Sequence, residues 1–217
     1  MSARVRRRVV DVPTPEGLAR AHVSRPPSAR GTLVLGHGAG GGITAPDLQA
    51  VATAAVAAGW AVVLVEQPWR VAGRKVATAP PKLDVAWRAV VDALRSGRGA
   101  LPAPLVAGGR SAGARVACRT AQAVGATAVV ALAFPLRPPG RPDAPSRADE
   151  LVQAASAAAV LVVQGRRDPF GAPEEVEAAR TGARVVAVEG DHGLKVEPDA
   201  ITSAVLQLLR EVDSTNV

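Results

Sequence analysis

A serine flanked by two glycines lies in the middle of the chain, at the end of a short apolar run. Residues 105–116 read LVAGGRSAGARV, so Ser111 is the centre of a Gly-x-Ser-x-Gly pattern with Gly109 and Gly113. Serine in this pattern occupies a sharp turn between a strand and a helix, where a strained backbone exposes its hydroxyl as a nucleophile. Glycine is needed on both sides because strand and helix approach too closely there for a β-carbon. The chain has 21 glycines and can match the pattern by chance, so the rest of the sequence must decide.

A base and an acid for this nucleophile follow later apolar runs. Asp168 comes after the run 160–163, and His192 comes after the run 185–188. A nucleophile on such a turn is expected to be followed by an acid after a later strand and a histidine after the last strand. We predict that Ser111 attacks a carbonyl carbon and that His192 accepts its proton. Asp168 is predicted to orient the imidazole and to stabilise its charged form.

Asp191 is a rival for the role of the acid, because it adjoins His192 in the sequence. Neighbouring side chains point apart and rarely hydrogen-bond to each other, so Asp168 is preferred. Taken singly, Asp168 could cap the turn before Pro169, and His192 could be an ordinary loop residue. The ordered set of three residues, rather than any one of them, favours catalysis.

Two backbone segments supply candidate donors for an oxyanion. The helix start after Ser111 places the N–H group of Ala112 where the oxyanion would form. A second donor is expected from the loop after an earlier strand, and there residues 36–42 read GHGAGGG. Glycine lets a backbone N–H approach the substrate oxygen closely. The candidate in this loop is Ala39 or Gly40, and the sequence leaves the choice between them open.

The same loop matches the Gly-x-Gly-x-x-Gly pattern of dinucleotide sites, and this alternative is rejected. Such a site needs an acidic residue that ends the following strand. Only Glu66 qualifies, and Pro68 follows it at once; a Gly-Lys-Ser/Thr phosphate loop is also missing. The histidines His22, His37 and His192 lack metal-ligand spacing. We therefore expect no cofactor and no metal, with His37 fixing its loop and His22 an ordinary strand residue.

Short apolar runs alternate with helical patterns along most of the chain. The runs are continuously apolar, as in strands that are buried on both faces. This alternation predicts an α/β fold with an open, mostly parallel sheet and helices on both of its faces. Runs 5–12 and 18–23 flank a Thr-Pro-Glu-Gly turn signal and predict a leading antiparallel hairpin. The other expected strands are 32–35, 61–65, 105–107, 128–132, 160–163 and 185–188. The expected helices are 47–58, 83–94, 112–124, 147–155, 174–179 and 201–212.

The chain of 217 residues predicts one domain, covering residues 1–217, without repeats or an interdomain linker. The irregular segments 66–81 and 135–145 both follow strands, which places them at the carboxyl edge of the sheet, where open α/β folds locate their sites. The longest insertion after a strand, residues 135–147, is too short for a helical cap domain. The site is therefore expected to be shallow and open.

Several large or charged side chains also follow strands and are expected to line the substrate site. Packing within loops is the alternative for the aromatic members. The arginines could hold an anionic group, although the general excess of arginine weakens that interpretation. The residues concerned are Trp69, Phe134, Phe170, Arg110 and Arg137.

The composition argues against a nucleic-acid-binding surface in spite of a net charge of +7. Only three of the 26 basic residues are lysine, the arginines are scattered, and tyrosine is absent, which leaves little for base stacking. The one dense basic run, Arg4 with Arg6, Arg7 and Arg8, is interpreted as a charged edge strand that discourages pairing between sheets.

Cysteine usage and hydropathy indicate a cytoplasmic protein. The single cysteine, Cys118, excludes an internal disulfide, and its position two helical turns after Ser111 predicts that it packs against the sheet. The N-terminal region has no uninterrupted apolar stretch typical of a signal peptide. No window approaches the roughly 18 apolar residues of a membrane span. We expect a small-molecule ester as the partner, with neither nucleic acid nor membrane, and the oligomeric state stays open.

Several motifs together resemble one family. They are GHGAGG at 36–41, GGRSAGAR at 108–115, QGRRDPFG at 164–171 and GDH at 190–192. The chain resembles small α/β-hydrolases, loosely grouped with dienelactone hydrolases, that include a subunit of the animal non-specific-lethal acetyltransferase complex and testis-expressed hydrolase-like proteins. The resemblance spans residues 32–209 and implies an α/β-hydrolase fold with Ser111, Asp168 and His192 as the catalytic set. It implies no particular substrate, and Arg137 departs from the histidine of related sequences.

Two functions therefore stay in competition. The first is a serine hydrolase that acts on a small ester, thioester or lactone through an acyl-enzyme. The second is an interaction module with the hydrolase fold, whose triad is intact or vestigial. Because all three catalytic residues and both oxyanion segments are present, the sequence favours the enzyme.

Overall fold

A computed structural model describes residues 4–96, 99–141 and 143–215 of the protein. Its strands form one eight-stranded sheet in the order β1-β2-β4-β3-β5-β6-β7-β8. The strands are β1 (Arg6–Thr14), β2 (Gly17–Arg25), β3 (Thr32–Gly36), β4 (Ala61–Glu66), β5 (Leu105–Arg110), β6 (Ala128–Leu132), β7 (Ala159–Gly165) and β8 (Arg184–Val188). The helices are α1 (Pro46–Ala57), α2 (Pro68–Val71), α3 (Pro80–Arg95), α4 (Ala112–Thr120), α5 (Ala148–Ala155), α6 (Pro173–Ala178) and α7 (Pro198–Thr215).

The sheet combines an antiparallel hairpin with six parallel strands. β1 and β2 pair antiparallel, β2 pairs antiparallel with β4, and the strands from β4 to β8 all run in the same direction. The predicted hairpin and the predicted mostly parallel sheet are thus confirmed. Since the parallel strands share one direction, the loops that follow β3, β5, β7 and β8 meet at a single edge.

Two helical layers cover the sheet. Alternate residues of each central strand go to opposite faces, so Val34 packs with α3 and α4 while Leu33 and Leu35 pack with α1 and α7. Both layers are apolar, which explains why the central strands read as continuous apolar runs rather than as alternating ones. Cys118 is buried in the layer that contains α4, as predicted, and burial raises the pKa of its thiol far above the ordinary value.

The observed elements differ from the predicted ones mainly at their ends. Helices α1, α3, α6 and α7 begin one to three residues earlier than predicted, each at a proline. Proline suits the first helical position, because the N–H group that it lacks has no partner there, and it precedes the apolar periodicity. β5 extends through Gly108 to Arg110, since backbone pairing with β6 requires no side chain.

Two segments were interpreted incorrectly. The short helix α2 lies in the segment 66–81, which was expected to be irregular; four residues are too few to show a helical period. Helix α4 ends at Thr120 instead of continuing to residue 124. Turns follow it up to Gly125, whose φ of 62° ends the helical path. No cap domain is evident in the described residues: the loop after β6 leads directly to α5. None of the described helices has the length and apolar character required to cross a membrane.

Candidate active site

Ser111 occupies a strained turn between β5 and α4. Its φ of 53° and ψ of −111° fall in a region that non-glycine residues rarely adopt, and such strain is held only where the surroundings enforce it. The strand ends at Arg110 and the helix begins at Ala112, so a single residue makes the whole reversal. The predicted strand–turn–helix arrangement around the serine is therefore confirmed.

The two glycines of the motif allow this turn to press against β3. A β-carbon on Gly109 would lie 2.5 Å from the carbonyl oxygen of Gly36, and one on Gly113 would overlap the same carbonyl group. Both approaches involve backbone atoms, which cannot move aside as a side chain would. The requirement for glycine at both positions is thus a packing requirement, as the sequence predicts.

A chain of hydrogen bonds joins Ser111 to His192 and Asp168. Nε2 of His192 lies 2.9 Å from the hydroxyl oxygen of Ser111. Nδ1 of the same ring lies 2.8 Å from Oδ2 of Asp168. Three loops that are far apart in the sequence meet here, because they follow β5, β7 and β8 at the same edge of the sheet. The imidazole is placed to accept a proton from the hydroxyl group while the carboxylate accepts the hydrogen of Nδ1.

The Asp168 carboxylate is fully buried and has three donors. Besides His192, the backbone N–H of Phe170 donates to Oδ1 at 2.9 Å, and the side-chain amide of Gln164 donates to Oδ2 at 3.0 Å. The amide oxygen of Gln164 accepts from the backbone N–H of Phe134. The rival Asp191 is exposed and accepts from the N–H of Gly193 at 2.8 Å, which makes it a turn-capping residue.

Gln164 is a site residue that the sequence reasoning missed. Its side chain is completely buried at the end of β7, and its amide also donates to the carbonyl of Gly171 at 2.8 Å. A polar residue that directly follows the apolar run 160–163, four positions before Asp168, was the available signal. The amide links the loop after β6 to the loop that carries the carboxylate, so it fixes Asp168 relative to the sheet.

The glycine-rich loop after β3 lies against Ser111. A β-carbon on Gly38 would lie 3.4 Å from the β-carbon of Ser111, and the next residues, Ala39 and Gly40, are exposed. Ala112 is the first residue of α4, where helix geometry leaves the N–H group without an intrahelical partner. The three predicted oxyanion donors thus lie on the two segments that adjoin the serine.

His37 fixes the glycine-rich loop through hydrogen bonds on both sides of its ring. The backbone N–H of Gln67 donates to its Nε2 at 3.3 Å, so the hydrogen resides on Nδ1 and points to the carbonyl oxygen of Gly38 at 2.9 Å. Burial lowers the pKa of His37, which keeps the ring neutral. His22, on β2, pairs with Glu66 at 2.8 Å. Within the described ranges, no group of three His, Cys, Asp or Glu side chains could hold a metal ion.

Two of the side chains predicted to bind substrate lie beside the histidine. The ring of Phe170 stacks on the ring of His192, with centroids 4.2 Å apart and planes tilted by 32°. The N–H of Arg137 donates to the carbonyl of Phe170 at 2.9 Å, and its guanidinium lies 4.0 Å from the carboxylate of Glu175. Phe170 therefore lies against the proposed catalytic histidine, and Arg137 is joined to Phe170 through the backbone.

The remaining three substrate-binding predictions are wrong. Phe134 is completely buried in the core, and Trp69 is only 3% exposed and meets the ring of His37 edge-on at 5.5 Å. Arg110 turns away from the open side towards Asp47 and the backbone of His192. A position just after a strand indicates proximity to the site, but it does not tell which way the side chain points.

Comparisons with known proteins agree with this architecture. A family model described as "Alpha/beta hydrolase domain" matches residues 29–213. No curated protein matches the chain. An α/β serine hydrolase without a lid from Xanthomonas campestris is 20% identical over 94% of both chains, with a TM-score of 0.72. An esterase from Pyrococcus furiosus is 16% identical, covers 96% of this chain and 93% of its own, and has a TM-score of 0.76. An α/β serine hydrolase homologue from Coxiella burnetii is 17% identical over 94% of this chain and 97% of its own, with a TM-score of 0.73. At these identities the likeness to solved structures shows the fold.

Proposed function

This chain belongs to the α/β-hydrolase family, and from that membership we propose that it is a serine hydrolase that cleaves a small ester, thioester or lactone. The observation that carries the proposal is the continuous contact from Ser111 through His192 to Asp168. Each distance lies within hydrogen-bond range, and the serine sits on a strained turn of the kind that clusters at functional sites. Such geometry is the requirement for an activated nucleophile.

The proposed reaction passes through an acyl-enzyme. The Ser111 oxygen attacks the carbonyl carbon while its proton moves to Nε2 of His192, and the carbonyl oxygen becomes an oxyanion. The N–H group of Ala112 and that of Ala39 or Gly40 stabilise this charge. The bond to the leaving group then breaks, and the leaving oxygen or sulfur takes the proton from the imidazolium. Water repeats the sequence on the acyl group, which releases the acid and restores the serine.

Asp168 serves this reaction by holding the charge and the tautomer of His192. The carboxylate receives the Nδ1 hydrogen, so Nε2 is left free to accept the serine proton. Its other donors, the N–H of Phe170 and the amide of Gln164, stabilise the charged carboxylate in a buried position. The imidazolium that forms during catalysis therefore always has a negative partner.

The expected substrate is small and its binding is open to solvent. No cap domain is evident over Ser111 in the described residues, and Phe170 is the bulky side chain of the predicted set that lies against His192. The sequence motifs place the chain, within this proposal, near the dienelactone-hydrolase-like group. A cytoplasmic location belongs to the same proposal and rests on the single cysteine, Cys118, which is buried.

An active-site probe tests the proposal without knowledge of the substrate. A fluorophosphonate presents a phosphoryl oxygen that mimics the oxyanion, so it should label Ser111 covalently. Mass spectrometry of the peptide that contains residues 109–115 locates the adduct. Ser111→Ala should abolish labelling and His192→Ala should slow it strongly, because no base then takes the proton. Cys118 should stay unmodified, since burial raises the pKa of its thiol.

The competing interaction module predicts a different result. A folded protein with a vestigial triad would show no adduct at Ser111 under conditions that label an active esterase fully. Circular dichroism on the same sample establishes that the protein is folded. That outcome would replace the enzyme by the interaction module.

A further inference from the structure

The side chain of Arg110 connects the loops that carry the proposed catalytic groups. Arg110 directly precedes Ser111, and its Nη2 donates to the backbone carbonyl of His192 at 2.6 Å. A β-carbon on Gly38, in the glycine-rich loop, would lie 3.1 Å from its Nη1. Its Nε lies 3.0 Å from Oδ2 of Asp47 in the first turn of α1. One guanidinium therefore touches the histidine loop and the glycine-rich loop from the residue next to the nucleophile.

Asp47 is unusually placed for a residue that would serve stability alone. Its side chain is completely buried, and besides the nearby backbone N–H groups of Asp47 and Leu48 its carboxylate oxygens have no hydrogen-bond partner among the described residues. The close contact with Arg110 is an ion pair without hydrogen-bond geometry. Burial raises the pKa of Asp47, and the neighbouring Arg110 charge opposes that rise. Burial of a carboxylate that is held only by local backbone N–H groups and one ion pair costs free energy that a neutral or apolar residue would save.

We propose that Asp47 and Arg110 are a positioning pair for His192. The buried carboxylate fixes the guanidinium, and the guanidinium fixes the backbone carbonyl of His192, which keeps the imidazole against the hydroxyl of Ser111. This inference rests on the proposed hydrolase function. It assigns neither residue a contact with substrate, and it explains why the buried charge of Asp47 is present.

The chemistry of arginine suits this task. A guanidinium is planar and presents donors in a fixed fork, so it can face Asp47 with Nε and the His192 carbonyl with Nη2 at the same time. A lysine ammonium is a point charge on a flexible stem, and it would satisfy one partner at the expense of the other. Arg110 is the residue before Ser111. Its side chain therefore ties the position of the His192 backbone to the backbone that carries the nucleophile. Small misplacements in such a pair are costly, with about 1 Å corresponding to a rate loss of about 100-fold.

The proposal separates activity from stability. Asp47→Asn keeps the shape of the side chain but removes the buried charge that holds Arg110. The change leaves the Arg110 guanidinium without its counter-charge, so the melting temperature of this single variant should fall. The double variant Asp47→Asn/Arg110→Gln removes both charges together with their burial cost, so its melting temperature should stay close to that of the wild type. Its rate of fluorophosphonate labelling at Ser111 should nevertheless fall by about 10- to 100-fold, because His192 is no longer held in register. A purely structural role would change both quantities in the same direction.

The experiment compares five proteins at one pH and salt concentration. They are the wild type, Asp47→Asn, Arg110→Lys, the double variant Asp47→Asn/Arg110→Gln, and the matched control Asp11→Asn. The control breaks a surface ion pair, Asp11 with Arg20 at 2.7 Å on the β1–β2 hairpin, and should label like the wild type. Readouts are the labelling rate, the melting temperature and the proton NMR resonance of the hydrogen shared by His192 and Asp168.

The expected result is slow labelling and a broadened or lost His192 resonance in both Asp47→Asn and the double variant, with the melting temperature of the wild type kept in the double variant. Arg110→Lys should also label slowly. The double variant should lose no more than the slower single variant, since both changes break one connection. It contains no unpaired buried charge, and therefore reports even if Arg110→Lys folds poorly.

Other outcomes overturn the inference in distinguishable ways. A labelling rate equal to that of the wild type and an intact His192 resonance in Asp47→Asn would disprove the positioning pair without affecting the hydrolase proposal. A double variant that labels slowly and also melts at a clearly lower temperature would assign the pair a structural role only. A wild-type protein without labelling at Ser111 would remove both proposals together.

Discussion

At the scale of single residues, the carboxylates of Asp168 and Asp191 have different roles at this site. The Asp168 carboxylate is buried, yet it accepts hydrogen bonds from the imidazole of His192, a backbone N–H and the amide of Gln164, and no lysine or arginine of the described residues forms an ion pair with it. Asp191, next to the histidine in sequence, turns outward and caps a local turn. The position of Asp191 beside His192 in the sequence thus puts its carboxylate on the same loop but not against the imidazole ring. The position of Asp168 after β7 puts its carboxylate against that ring.

Substitution of each aspartate separates the two roles. Asp168→Asn should lower kcat by about 10⁴ without unfolding the protein, because the amide favours the wrong tautomer of His192. Asp191→Asn should change kcat little, since it affects only a turn. Turnover of a short p-nitrophenyl ester measures both. The reverse ranking would transfer the acid role to Asp191.

At the scale of elements, the contact between the serine turn and β3 is made of backbone on both sides. Gly36 lies opposite Gly109 and Gly113, and there is no room for a single β-carbon at either of the latter positions. Strand β5, the turn and helix α4 therefore behave as one packed unit against β3. The strained conformation of Ser111 is enforced by this packing rather than by hydrogen bonds of its side chain.

A pair of glycine substitutions tests that packing. Gly113→Ala should destabilise the protein by about 1–3 kcal/mol or more, because the new methyl group meets the backbone of Gly36. Gly41→Ala is the matched control, since its β-carbon would meet nothing within 4 Å. Urea unfolding followed by circular dichroism gives both free energies. Equal stabilities for the two variants would contradict the packing argument.

At the scale of the whole molecule, the candidate active site and a basic surface patch lie at opposite ends of the sheet. The site occupies the edge where the parallel strands end, and no cap domain is evident over it in the described residues. A basic patch lies at the other edge, around a surface cavity of about 1100 Å³. The arginines of this patch have no carboxylate within ion-pair distance among the described residues. They are Arg4, Arg6, Arg7, Arg8 and Arg25.

The open site predicts a preference for short acyl chains. Acetyl and butyryl p-nitrophenyl esters should be hydrolysed with a higher kcat/KM than decanoyl or longer esters, because no cap provides apolar surface for a long chain. A chain-length series under monomeric substrate conditions measures this. A steady rise of kcat/KM towards long acyl groups would contradict it.

The basic patch predicts only weak attraction to nucleic acid. Among the described residues its cavity is lined by no aromatic side chain on which bases could stack, so binding would consist of phosphate contacts that each add about 0.9 to the salt slope. Gel shifts at low salt should show weak binding that disappears at physiological salt. A triple variant, Arg6→Gln/Arg8→Gln/Arg25→Gln, should lose even that. Tight binding by the wild type at physiological salt would overturn the prediction.

The sequence was sufficient to locate all eight described strands, every described helix except α2, and the chain order of the proposed reacting groups. Strands buried on both faces are continuously apolar, so their positions were readable, and the loops after them carry Ser111, Asp168 and His192. Burial of polar residues leaves no such periodic signal, and Gln164 and Asp47 were therefore missed. The direction of a side chain after a strand is set by packing between elements, which explains the errors at Phe134, Trp69 and Arg110.

The tryptophans give this protein an intrinsic fluorescence signal that depends on whether it is folded. The chain has no tyrosine, and its three tryptophans, Trp60, Trp69 and Trp87, are all buried. Intrinsic fluorescence therefore arises entirely from indoles in apolar surroundings, and unfolding should shift the emission to longer wavelength without a tyrosine background. Trp69 adds a local signal, because its ring touches the neutral ring of His37 beneath the glycine-rich loop. An imidazolium quenches a neighbouring indole, so protonation of His37 should lower the emission of Trp69.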